Sequence, residues 1–403
     1  METVIVIGGG ASGMMAALTA ARDKKRRVIL LERQQRVGRK LLATGNGRCN
    51  LTNTEAGEEN YHGEEEGFSR FALESFPPQA VLDCFSDMGL LTVTEYGGRV
   101  YPLSNSANSV VDVLRFALEK SGVELICSCP ARELRREKKG FTVICDERSF
   151  HADFLIVACG GAAGAKLGGV SDGYELLKPL GHKRTKLSPA LVQLITDAEY
   201  PRALKGVRAD AAVSLVSGNY VLCRSEGELQ FTDNGVSGPA AFDISREAAR
   251  CGEGAELVID LMRNYSAEKL EELLSHRVNS LPELDCSELF TGMLHNRLGR
   301  MLVKYASIPA AEKLSSLGKD DIRRAAAACK EFRLRLRGTE GFDHAQVTAG
   351  GIKTTGFNPQ TLESWFVPGL FVCGELLDVD ADCGGYNLQW AWASGRLAGR
   401  LGE

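Results

Sequence analysis

The chain has no CxxC pair, no surplus of positive charge and no long apolar run, and each absence removes a class of function. Its 12 cysteines are scattered. Cys127 and Cys129 form a CxC, but no matching Cys or His pair follows. That spacing argues against a zinc site or a disulfide framework and fits reduced cytosolic thiols. The net charge is -4, so there is no global basic field for nucleic acid or an anionic membrane, and neither is an expected partner. No apolar run approaches the ~18–20 residues needed to cross a bilayer. The first residues enter a strand by Thr3, without the charged and apolar regions of a secretory leader. These features read as a cytoplasmic protein. Internal repeats and low-complexity tracts are absent too.

Glycine, by contrast, is plentiful: 44 residues, many in clusters that follow strand-like runs. Clustered glycine gives tight turns and close approach of backbone to a ligand. Thr3–Ile7 reads as a buried parallel strand, Met14–Arg22 as a helix and Val28–Leu31 as a second strand. Between the first strand and the helix stand Gly8, Gly10 and Gly13 in G-x-G-x-x-G spacing, with Gly9, Ala11 and Ser12 among them. Gly8 permits the tight turn, Gly10 lets a pyrophosphate reach the backbone, and Gly13 lets helix and strand pack closely. Free N–H groups at the helix start hold the phosphates. Glu32 ends the second strand, 19 residues after Gly13, where a carboxylate accepts hydrogen bonds from ribose hydroxyls. The run Lys24–Arg27 reads as solvated cations at a helix C-terminus rather than as a binding element.

That unit alone suits either NAD or FAD. The rest of the chain favours FAD. Phe154–Cys159 is another apolar strand, ending in Gly160-Gly161, and Leu370–Cys373 is a third, ending in Gly374-Glu375. After Gly384-Gly385-Tyr386-Asn387 the chain turns helical over Leu388–Leu401. Amides at the start of that last helix suit the electron-rich edge of a flavin. The segment from Gly38 to Asn53 adds flexible glycines, cations for phosphate and many hydrogen-bonding side chains just after Glu32. No second strand–GxGxxG–helix unit follows, so a nicotinamide donor, NADPH or NADH, is expected to dock only transiently.

Here the chain resembles a known family. The stretches GRK…TGNGRCNLTN and CGELLDVDADCGGYNLQWAWASG are similar to those of the YhiN-type bacterial flavoproteins, which include aminoacetone-oxidase-like and bile-acid-inducible reductase-like enzymes. Ser188–Val192 and Phe231–Pro239 carry the same resemblance, which runs from Val4 to Gly399. Two places depart from it. Asp233 stands where many relatives carry His, and Thr354-Thr355-Gly356 follows a turn after which an acidic residue is common.

The resemblance implies an α/β fold: a glutathione-reductase-like, FAD-binding Rossmann domain split in sequence. Its parts are expected at 1–190 and 336–403, with an inserted β-rich domain at 191–262 and an inserted helical domain at 263–335. Non-covalent FAD is then expected to touch Gly8, Gly10, Ala11, Ser12 and Gly13 in the first turn, and Glu32 and Arg33 at the second strand's end. Further contacts are expected from Arg39, Lys40, Asn46, Gly47, Arg48, Cys49 and Asn50, then from Ala131, Ala158, Gly160 and Gly161. The C-terminal side would supply Gly374, Glu375, Gly385, Tyr386, Asn387 and Leu388.

The expected reaction is hydride transfer through flavin N5 in an NAD(P)H-dependent reduction of an activated C=C or C=O of a small organic substrate. The alternatives are an oxidase that takes hydride from a small amine and passes electrons to O₂, and, more distantly, an RNA-modifying flavoprotein. Tyr386, Asn387 and Cys49 are the catalytic candidates. Tyr386 is the candidate proton donor. Cys49 lacks the partner of a redox pair and reads as a structural thiol beside the cofactor.

The inserted parts show other local signals. Leu191–Leu261 has short β-like runs, and Ser266–Arg333 is helical, with Leu270, Leu273, Leu274 and Val278 on one face. Arg333, Arg335 and Arg337 alternate with Leu334 and Leu336, as in a strand with one wet face. Asp172–Glu175 resembles a capping box, and residues 55–67 read as a mobile acidic loop.

Overall fold

β-Branched residues suit a strand covered on both faces, and Val4–Ile7 are buried within β1 (Glu2–Ile7). In this computed structural model, which describes residues 1–252 and 254–403, β1 lies at the centre of a five-stranded parallel sheet. The chain runs from β1 through α1 (Ala11–Ala20) to β2 (Arg26–Leu31). It then passes through α2 (Pro78–Asp87) and α3 (Ala107–Ser121) to β3 (Glu124–Ile126). β4 (Phe154–Val157), β5 (Leu370–Val372) and α4 (Tyr386–Gly399) complete the set. The sheet order is β5-β4-β1-β2-β3, and every pairing is parallel. This is a Rossmann-type α/β fold split in sequence, whose carboxyl strand ends form the usual ligand crevice.

Met1–Ser188 and Ala345–Glu403 form one compact unit; Pro189–His344 forms the other. Within the first, the small residues Gly13, Ala16, Ala17 and Ala20 of α1 are buried and let the helix pack closely. The last helix answers with glycines of its own. A Cβ on Gly395 would sit 2.3 Å from the Ser12 carbonyl, and one on Gly399 2.5 Å from that of Ala16. Trp392 seals the far side of α4. It is fully buried, donates from Nε1 to the Leu51 carbonyl at 2.8 Å, and meets Phe85 edge-on. Burial of this kind makes a Trp→Ala change cost about 3–5 kcal/mol.

The second unit is a closed six-stranded antiparallel barrel. Its strands, in order around the barrel, are Leu194–Thr196, Gly235–Ser237, Tyr220–Phe231, Arg208–Ser217, Ala255–Asp260 and Phe332–Thr339. The helices Ala267–Ser280, Asn296–Tyr305 and Lys319–Lys330 belong to the same unit. Phe332 is fully buried at an aromatic junction with Tyr200, Tyr305 and Phe231. The alternating strand read at 333–337 pairs with Ala255–Asp260 on one side and Leu194–Thr196 on the other. The segments expected as separate β-rich and helical domains, 191–262 and 263–335, therefore share one core.

Four local expectations change. α1 starts at Ala11 rather than Met14, taking Ser12 and Gly13 into its first turn. Arg26 and Arg27 open β2 rather than ending a helix, and Arg26 pairs with Glu403 at 2.5 Å. The acidic segment at 55–67 is tied down: Tyr61–His62 pairs with Asp380–Ala381, and Glu64 meets Lys353 at 2.7 Å. Asp172 is the first helical residue and caps nothing. Among the described residues no helix is long and apolar enough to cross a membrane.

Candidate functional site

The glycines after β1 divide by what surrounds them. Gly8 adopts φ +110°, and a Cβ there would lie 2.3 Å from the Ala158 carbonyl oxygen. A Cβ on Gly13 would come within 1.8 Å of the Gly8 carbonyl. Both are glycine because the chain itself leaves no room. Gly10 differs: nothing lies within 4 Å of its added Cβ, and its φ is -80°. Protein packing does not demand a glycine there, so the open space is available to a ligand. Gly10 is also the N-cap of α1, which has no side-chain cap and no acid in its first turn. Its leading amides stay open for an anion.

Glu32 stands beside this loop and is 8% exposed. Its Oε2 accepts from the Gly9 N–H and its Oε1 from the Gln34 N–H, both at 2.7 Å. The carboxylate thus fixes the loop, and its remaining lone pairs can accept hydroxyls. Arg33 pairs with Asp172 at 3.3 Å, and Arg39 donates to Gln34 at 2.8 Å. Lys40 reaches Glu375 at 2.7 Å, and Glu375 Oε1 accepts from the Thr348 N–H at 2.9 Å. Gly161 sits under this junction, where a Cβ would meet Thr348 Oγ1 at 2.4 Å. Gly160 adopts φ +73°, Ala158 backs Gly8, and Ala131 is buried in the strand Ala131–Arg136.

The segment after Lys40 folds into a tight knot. Gly45, Asn46, Gly47 and Cys49 all have positive φ. Asn46 and Cys49 pay of order 1 kcal/mol each for that conformation. Cys49 is fully buried, and burial pushes its thiol up to about 12. It is a protonated, packed thiol at neutral pH. Arg48, expected to face an anion, is already compensated. Its guanidinium pairs with Glu95 at 2.5 Å, bonds Asn105 and lies 3.9 Å over the Tyr101 ring.

The C-terminal side approaches the same loop. A Cβ on Gly374, at φ +74°, would lie 2.3 Å from Ser12 Oγ. The Gly374 N–H donates to Ser394 at 3.0 Å and its carbonyl accepts from Trp390 at 3.2 Å. α4 then begins after Gly385, at φ +104°, again with no side-chain cap and no acid in its first turn. Next to it Asn50 Oδ1 is buried without a hydrogen-bond partner, 2.8 Å from where a Gly385 Cβ would be. Asn387 is held by backbone: it accepts from the Ala381 N–H at 3.0 Å and donates to the Ala381 carbonyl at 2.7 Å. Tyr386 offers its carbonyl to the Tyr61 hydroxyl at 3.2 Å, and Leu388 packs on the core. Burial, with Tyr386 and Asp382 nearby, pushes the Tyr61 hydroxyl well above its ordinary range.

The sequence residues therefore fall into two connected groups. The first holds Gly8–Gly13, Glu32, Lys40, Gly161, Gly374 and Glu375; the second holds Asn50, Gly385, Tyr386 and Asn387 at the start of α4. The sequence reading missed Asn53, which donates to the Gly384 carbonyl at 2.9 Å and to that of Gly97 at 3.0 Å. It also missed His62, whose Nε2 lies 2.7 Å from Asp382. Asn53 closes the quoted LTN stretch and was within reach; the His62–Asp382 pair spans 320 residues and has no local signal. Among the described residues no group of His, Cys, Asp and Glu could hold a metal ion.

Comparison with known proteins agrees with this architecture. Residues 2–401 match the family described as HI0933-like protein Rossmann domain. The chain is 41% identical to a 3-dehydro-bile acid delta(4,6)-reductase of Clostridium scindens, over 92% of this chain and 91% of that one. It is 29% identical to a ribosomal RNA dihydrouridine synthase of Escherichia coli, over 89% of this chain and 88% of that one. Among solved structures, a 3-ketosteroid delta1-dehydrogenase from Sterolibacterium denitrificans shares the fold, with a TM-score of 0.51, 14% identity and 99% of each chain covered.

Proposed function

This chain belongs to the HI0933-like Rossmann family and is an FAD-binding oxidoreductase; from that premise we propose that it reduces a carbon–carbon double bond conjugated to a carbonyl, in a small organic substrate and with NADPH or NADH as transient donor. The observation that carries the reading is the 41% identity, over 92% of this chain, with the delta(4,6)-reductase. The residues present fit FAD. Gly10 faces open space, α1 and α4 present N-termini without side-chain caps, and Asn50 holds an orphaned buried acceptor at the second of them. When bound, FAD supplies a two-electron carrier that exchanges hydride at N5.

The chain's own residues have simpler tasks. Gly10–Gly13 would bind the pyrophosphate, and Glu32 would orient a ribose. The α4 amides would stabilise negative charge at the ring's edge. Asn387 fixes the backbone of Ala381 and Asp382, so its role is positioning. Tyr386 Oη is our candidate to hand a proton to the carbon beside the one that takes hydride. Cys49, buried and protonated, packs and takes no redox part.

A visible spectrum recorded anaerobically tests this. The flavin band should bleach on adding NADPH or NADH and return on adding an enone. A flavin that resists both nucleotides but is reduced by small amines, with peroxide released in air, would replace the reading with an oxidase. The 29% identity to the ribosomal RNA enzyme supports a second reading, in which the reduced double bond is that of a uracil. Reduction of uridine in isolated ribosomal RNA, but of no free enone, would favour it.

A further inference from the structure

α1, α2, α3 and α4 leave a crevice of about 480 Å³ on the helical layer of the Rossmann unit. Its apolar wall includes Met15, Leu18, Phe76 and Met88, and two cations, Arg22 and Arg396, also line it. The volume falls in the range of small-molecule sites, roughly 300–1,000 Å³. Gly10, where phosphate is expected, caps the N-terminus of α1, whereas Arg22 lies just beyond its C-terminal end. At about 1.5 Å per residue the two lie about 18 Å apart along the helix.

Arg396 is the unusual group. Its guanidinium lies 4.4 Å from the centroid of the Phe76 ring, and its Nε is buried with no hydrogen-bond partner. Among the described residues no carboxylate pairs with it, although Asp83 and Asp87 also line the crevice. Asp83 instead takes a hydrogen bond from Gln79 at 2.8 Å. Burial, then the nearby Arg22 and Arg400, hold the Arg396 guanidinium below its ordinary range. A half-sunk cation facing two others is poorly stabilised unless an anion joins it. A carboxylate matches the guanidinium fork with two parallel hydrogen bonds.

We propose that this crevice binds an amphipathic monocarboxylate, its carboxylate on Arg396 and Arg22 and its hydrocarbon body against Met15, Leu18 and Met88. Asp83 and Asp87 oppose a second negative charge, which sets the ligand class apart from phosphates and dicarboxylates. The site is separate from the cofactor's and does not depend on which substrate is reduced.

Decanoate is the probe, added to the FAD-loaded protein, with decanedioate and inorganic phosphate as contrasts. Cys84 lines the same crevice and reports occupancy through its rate of alkylation by N-ethylmaleimide at alkaline pH. Decanoate should bind by calorimetry and slow Cys84 alkylation, leaving the flavin spectrum unchanged. Arg396→Gln should weaken binding about tenfold or more, and Arg396→Lys, which keeps charge but loses the fork, by somewhat less. Failure of decanoate to bind, binding that leaves Cys84 unprotected, or equal protection by phosphate would each overturn the proposal. Should Arg396→Gln fail to fold, the Cys84 protection measured on the unaltered chain still decides.

Discussion

Two pairs of helices in this molecule begin in opposite ways. α1 and α4, at the candidate site, start after Gly10 and Gly385 with no side-chain cap and no acid in the first turn. The helices Ala267–Ser280 and Lys319–Lys330 of the barrel unit satisfy themselves. Ser266 accepts from the Lys269 N–H at 3.2 Å, and Asp321 accepts from the Gly318 N–H at 2.8 Å. Glu268, Asp320 and Asp321 add negative charge to their first turns. Every helix start carries the same unsatisfied amides. Where a side chain answers them, the start serves stability. α1 and α4 leave theirs unanswered, and on the proposed reading these two starts serve the cofactor.

The strongest way to break this contrast is at Gly13. Gly13→Val places carbon against the Gly8 carbonyl, and we expect the purified protein to have lost nearly all its flavin absorbance. Gly10→Ala sharpens the point, because that site has room and an ordinary φ. The apoprotein should melt as the wild type does, or slightly higher, since replacing glycine at a compatible φ contributes about 0.4–1 kcal/mol. FAD should nonetheless bind about tenfold or more weakly by fluorescence titration. Normal FAD affinity in Gly10→Ala would mean that the opening holds no phosphate.

Glu32→Gln weakens the hydrogen bond that holds the glycine loop through the Gly9 N–H. At about 1.5–3 kcal/mol for a bond to a charged group, FAD affinity should fall roughly tenfold or more. Ser266→Ala is the control from the other pair. It should cost about 1 kcal/mol in denaturant unfolding and leave flavin content alone. Loss of flavin there would undo the distinction between the two kinds of helix start. The smallest effect is expected from Cys49→Ser, with turnover changed by no more than about threefold. Burial holds the Cys49 thiol near 12, above its ordinary 9.0. Its contribution to stability is therefore intact at neutral pH and is lost only as pH rises from about 9 toward 12. A kinetic pKa near neutrality that vanished in Cys49→Ser would contradict this.

Most of the Rossmann half was legible because its signals are local. β1, the glycines and Glu32 fall within one short stretch, and period and spacing report on neighbours in the chain. The apolar runs at Phe154 and Leu370 were legible as strands for the same reason. Signals failed where partners are remote. Arg48 looks like an anion ligand until Glu95 and Tyr101 are placed beside it. The acidic segment near Glu64 looks mobile until Asp380–Ala381 supplies a second strand and Lys353 a cation. Alternation at Arg333–Arg337 shows a strand with one wet face, but it cannot say that this strand closes a barrel.

The bare contact of Gly395 and Gly399 with Ser12 and Ala16 also has a meaning in time. Synthesis runs from the amino end, so the glycine loop that starts α1 is made well before α4. A chain halted before Gly374 lacks the helix that packs on α1. On the proposed reading flavin capture waits for α4, so bound flavin would report a chain translated at least through that helix.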